Sequence, residues 1–155
     1  MRSLSEETEA MKVLVFTEGT IIMHSKNVKD FASHIPINNS VKKLQSWKKQ
    51  GAEIIYLTSR KEQRQITDIK NVHNKFNFPG GELLFRKTGE QYSDVAERIM
   101  PDIIVEDDCK SIGGEKEMTF PNLKPELKKK IKSVVVKEFA GIDALPEKIS
   151  DLLNC

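Results

Sequence analysis

Residues 12–20 read KVLVFTEGT. Val13, Leu14, Val15 and Phe16 form an unbroken apolar run, short for a helix and suited to a strand covered on both faces. Polar Thr17, Glu18, Gly19 and Thr20 follow at once. The same pattern recurs at EIIYL (Glu53 to Leu57), ELLF (Glu82 to Phe85), DIIV (Asp102 to Val105) and SVVV (Ser133 to Val136). Between these runs the periodicity turns helical. SVKKLQSWKKQG, residues 40–51, places Val41, Leu44 and Trp47 on one side with Gly51 as C-cap, and KEQRQITDIKNVHNKF, residues 61–76, does so with Ile66, Ile69 and Val72. QYSDVAERIMP, residues 91–101, reads as a helix stopped by Pro101, with further helices expected in KPELKKKI, residues 124–131, and LPEKISDLL, residues 145–153. Strands alternating with helices predict an α/β fold, a Rossmann-like three-layer α/β/α sandwich with a mostly parallel five-stranded sheet.

A length of 155 residues suits one domain, expected over residues 11–155 after a flexible N-terminal tail, residues 1–10. The 25 Lys+Arg against 23 Asp+Glu leave a net charge of +2, which argues against a nucleic-acid partner. No apolar stretch approaches the ~20 residues of a membrane span. The polar start MRSLSEETEA lacks the apolar core of a secretory signal, so a cytoplasmic location is expected. Cys109 and Cys155 are too few for a disulfide framework, and Cys109 reads as a plain loop cysteine.

In an open parallel sheet, ligands bind beyond the carboxyl ends of the strands. The residues there are Thr17, Glu18, Gly19 and Thr20 after the first run, and Thr58, Ser59 and Arg60 after the second. Arg86, Lys87, Thr88 and Gly89 follow the third, and Glu106, Asp107 and Asp108 the fourth. Hydroxyls and cations suit a phosphate, and three consecutive acids suit a hard divalent cation or, alternatively, pairing with Lys110 and Lys116.

These four clusters, in this order, resemble the haloacid dehalogenase superfamily of phosphohydrolases over Lys12 to about Phe139. In that family the first strand ends in Asp-x-Asp-Gly-Thr. Gly19-Thr20 matches the end of the signature, Glu18 falls on its second Asp, and Phe16 on the nucleophile. A phenylalanine can neither attack phosphorus nor bind Mg²⁺. Shifting by one residue puts Thr17 in the nucleophile's place, while Glu18 keeps a carboxyl group for general acid or base work.

By the resemblance, Thr58, Ser59, Arg60, Lys87 and Gly19 hold phosphate, with Arg86 in reserve, and Asp107, Asp108 and Glu106 hold a weakened Mg²⁺. The resemblance implies a Mg²⁺-dependent phosphatase relative with weak or no activity. The alternative is a non-catalytic module recognising a phosphorylated small molecule or a partner protein. A receiver-like protein is discounted because the second and third runs end before Thr58 and Arg86 rather than an aspartate. About 38 residues between the first two motifs leave no room for a large cap.

His24, His34 and Trp47 read as loop and core residues, Lys128 to Lys130 as a solvated face, and residues 109–123 as a surface excursion rather than a lid.

Overall fold

The computed structural model describes residues 10–155, so the tail expected at residues 1–10 lies outside the described residues apart from the exposed Ala10. One parallel sheet forms the centre: β1 (Lys12–Phe16), β4 (Glu53–Leu57), β5 (Leu83–Leu84), β6 (Ile103–Asp107) and β7 (Lys132–Val136), in the order β5-β4-β1-β6-β7. A separate antiparallel pair, β2 (Ile22–Met23) with β3 (Ile35–Pro36), follows β1 and was not legible as strand. The helices are α1 (Ser40–Lys49), α2 (Gln63–Lys75), α3 (Tyr92–Ile99) and the single turn α4 (Pro125–Lys128).

Alternation along each strand builds the layers. Val13 and Val15 of β1 pack with Ile54, Tyr56, Ile103 and Val105 against Leu44 and Trp47 of α1 and Ile66, Ile69 and Val72 of α2. Leu14 and Phe16 go to the other face with Ile55, Leu57 and Ile104, where Val95 and Ala96 of α3 and Leu127 of α4 cover them. The expected three-layer α/β/α sandwich is the observed one.

Two expected helices are shorter than their periodicity suggests. KPELKKKI is helical only at Pro125–Lys128, because Ile131 is already packing into the core as the chain enters β7. LPEKISDLL holds only a 3₁₀ segment, Ile149–Asn154. Its preceding backbone is tied to α1 instead: Trp47 Nε1 donates to the Pro146 carbonyl (3.1 Å), Gln50 Nε2 to the Glu147 carbonyl (2.8 Å), and Ile149 N–H to Gln50 Oε1 (2.8 Å). Backbone groups satisfied by tertiary partners have no need of a helical ladder. Among the described residues no helix is long and apolar enough to cross a membrane.

Candidate functional site

The chain runs from β1 outward to β4 and β5, then returns to the opposite side of β1 for β6 and β7. That reversal opens a crevice at the carboxyl ends of the strands beside β1. After Phe16, the Thr17 carbonyl accepts from the N–H groups of Thr20 (3.2 Å), Ile21 (3.0 Å) and Ile22 (3.1 Å), closing a tight loop. Gly19 turns the corner at φ +86°, its N–H donating to the Ile22 carbonyl at 2.8 Å. A Cβ there would lie 3.1 Å from each carboxylate oxygen of Asp107. Gly19→Ala is therefore expected to cost about 1–3 kcal/mol from strain and crowding, measured as a lower urea midpoint at unchanged slope.

This loop docks on β6. The Thr20 hydroxyl donates to Asp107 Oδ1 (2.7 Å) and accepts from the Asp107 N–H (3.0 Å), while Cys109 N–H donates to Asp107 Oδ2 (3.1 Å). Burial holds the Asp107 carboxyl above its usual range, against the opposing pull of these donors. On the β4 side, Glu18 Oε2 accepts from the Thr58 hydroxyl (2.5 Å) and Oε1 from the Ser59 N–H (2.9 Å) and hydroxyl (3.3 Å). Arg60 Nε and Nη2 donate to Ser59 Oγ at 3.2 and 3.0 Å, and its guanidinium lies 4.3 Å from the Phe31 ring centre. The Arg86 guanidinium stacks 4.1 Å from the Tyr92 ring centre, and its Nη2 donates to the Ser59 carbonyl at 3.3 Å.

These side chains surround a cleft of about 250 Å³. Of the site residues expected from sequence, Glu18, Gly19, Ser59, Arg60 and Asp107 line it, together with Phe16 and with His24, His34 and Cys109, which were read as loop residues; His34 and Cys109 are buried. Phe16 meets Tyr92 edge-on, ring centres 5.2 Å apart, and also belongs to the core beneath. Thr58 is buried behind the wall. Thr17 is also buried, off the cleft lining, and its hydroxyl has no hydrogen-bond partner among the described residues. Lys87 is exposed and off the lining, leaving Arg60 as the Lys or Arg side chain of the cleft wall among the described residues.

The three acids expected to share a cation do not converge. Consecutive strand residues point to opposite faces, so Asp107 reaches the cleft and Glu106 does not. The buried Glu106 carboxylate accepts from the N–H groups of Thr119 (2.7 Å) and Phe120 (3.0 Å), and burial raises its pKa. Asp108 Oδ1 accepts from the N–H groups of Lys110 (3.2 Å) and Glu138 (3.3 Å). Among the described residues no three His, Cys, Asp or Glu side chains are grouped to hold a metal ion. Each oxygen of Glu18 and Asp107 keeps lone-pair capacity beside the hydrogen bonds it accepts, so these two cleft-lining carboxylates, rather than Glu106, are the ones that would hold a hydrated Mg²⁺.

The segment read as a surface excursion is part of the wall, contributing Cys109, Ser111, Ile112 and Glu117. Glu138 and Phe139 also line the cleft and were missed. They follow the fifth apolar run, so the same strand-end rule points to them. Tyr92 and Phe31 carried no such signal.

No family model matches the chain, and no curated protein matches it either. Solved structures do. One from the Pnkp1/Rnl/Hen1 RNA repair complex aligns with a TM-score of 0.59 at 14% identity over 89% of this chain, which spans 45% of that chain's length. A D,D-heptose 1,7-bisphosphate phosphatase from B. bronchiseptica, complexed with magnesium and phosphate, aligns at 0.51 and 14% identity over 84% of this chain and 94% of its own. The fold is haloacid dehalogenase-like. The corresponding phosphatase from Burkholderia thailandensis aligns over the same shares, also at 14% identity, with a TM-score of 0.50. Within this haloacid dehalogenase-like fold, the cleft at the end of β1 and β6 is the candidate site.

Proposed function

We propose that this haloacid dehalogenase-like protein has lost the chemistry of an aspartyl-phosphate phosphatase and turns over phosphate esters weakly or not at all. The observation that carries this is Phe16, whose ring sits in the cleft wall at the end of β1, edge-on to Tyr92. It offers no lone pair to phosphorus and no oxygen to a cation. The placement of the neighbouring candidates supports the reading: the Thr17 hydroxyl is buried off the cleft, and the Glu18 carboxylate is turned to Thr58 and Ser59. The test is a panel of phosphomonoesters with Mg²⁺, where turnover is expected below the ordinary range of ~1 to 1000 per second. Turnover inside that range, abolished by Asp107→Asn, would overturn the reading.

A second reading is a non-catalytic module that binds a phosphorylated ligand or a partner protein. It is favoured by exposed apolar side chains around the cleft, Val28 (59% exposed), Ile112 (64%) and Phe139 (38%). A nucleotide or sugar phosphate that raises the melting temperature without being hydrolysed would support it.

A further inference from the structure

Glu18 occupies the donors that an incoming anion would need. The Thr58 hydroxyl, the Ser59 N–H and the Ser59 hydroxyl converge on its carboxylate, and Arg60 extends the chain by donating to Ser59 Oγ. Hydroxyl and backbone donors turned toward one anion beside a guanidinium make a nest for an oxyanion. The protein fills that nest with a carboxylate from a residue 40 positions away from Thr58. Asp107, Glu117 and Glu138 line the same cleft, against Arg60 as the Lys or Arg side chain in its lining among the described residues. An external phosphate must therefore displace Glu18 and then lie beside it.

We propose that Glu18 is an internal anion that closes the Thr58–Ser59–Arg60 nest and decides which ligands the cleft accepts, excluding phosphate while it is seated. This rests on the reading that the cleft is not a working phosphatase, since a phosphatase must admit the phosphoryl group of its substrate. The carboxylate and a phosphate compete for the same hydrogens, so removing the first uncovers a site for the second.

The experiment measures the affinity for inorganic phosphate by titration calorimetry on the whole chain, with Glu18→Ala, Glu18→Gln and Glu138→Gln beside the wild type. Glu18→Ala is expected to bind phosphate about tenfold or more tighter than the wild type, the scale of one charge-assisted hydrogen-bond set regained. Glu18→Gln keeps the side chain's shape and so guards against a folding failure in the alanine variant. It is expected to gain in the same direction by a smaller factor, because a neutral amide repels no anion. Adding Thr58→Val to either Glu18 variant is expected to erase the gain.

Glu138→Gln removes the same charge from another wall of the cleft, where the carboxylate accepts from Ser111 N–H (2.9 Å) and hydroxyl (2.8 Å), and is expected to raise phosphate affinity by less than either Glu18 variant. Equal affinity in the wild type and both Glu18 variants would overturn the proposal. So would an equal gain in Glu138→Gln, which would reduce the effect to overall charge. Phosphate itself is not turned over, so these outcomes stand apart from the ester panel that tests the functional reading.

Discussion

Glu106→Ala is expected to destabilise the protein by about 2–4 kcal/mol, the cost of leaving one buried and one half-buried N–H group unpartnered plus a small cavity. The carboxylate accepts from the N–H groups of Thr119 and Phe120, at 2.7 and 3.0 Å, and so fastens the segment after β6 to the sheet. That segment supplies Ser111, Ile112 and Glu117 to the cleft wall, so the same change is expected to raise proteolytic susceptibility across residues 109–123. Urea denaturation measures the first effect and limited proteolysis the second. Stability within about 0.5 kcal/mol of wild type would refute the structural role of Glu106.

Glu106→Gln adds a pH arm. Burial raises the Glu106 pKa, so the folded state binds its proton more tightly than the unfolded chain does. Stability linked to this group is therefore greatest in acid, falls as pH rises from the ordinary carboxylate range through the raised value, and is level above it. The glutamine variant is expected to lose that part of the slope.

Thr20→Val is expected to cost about 2–4 kcal/mol, because it strips a buried carboxylate of its hydroxyl donor while conserving volume. The hydroxyl makes two bonds to one residue, donating to Asp107 Oδ1 at 2.7 Å and accepting from the Asp107 N–H at 3.0 Å. Both Thr20 and Asp107 are buried, so water cannot replace either bond without local opening. Losing that donor also raises the Asp107 pKa further, in the direction burial already drives it. Thr20→Ser keeps the hydroxyl and is expected to recover most of the loss. If valine and serine cost the same, the hydroxyl is not what holds the loop to β6.

The central strands were legible because burial on both faces leaves an uninterrupted apolar run: β1 and β4 have the boundaries expected for Lys12 to Phe16 and Glu53 to Leu57. β5 shrank to Leu83–Leu84, an edge pairing with β4 alone. Helix α3 was read correctly to within two residues at each end, whereas the Leu145 to Leu153 stretch gave its backbone bonds to α1, a partner that periodicity cannot announce.

The sequence by itself determined the α/β class, the strand-end position of the polar clusters and the phenylalanine at position 16, because these depend on local order and on residue type alone. Only the tertiary structure decided which polar groups meet. Strand order set β1 between β4 and β6, so Glu18 found Thr58 and Ser59 on one side while Thr20 found Asp107 on the other, 87 residues away. Strand pleat then sent Glu106 and Asp107 to opposite faces, turning three adjacent acids into a segment anchor, a loop anchor and a turn cap.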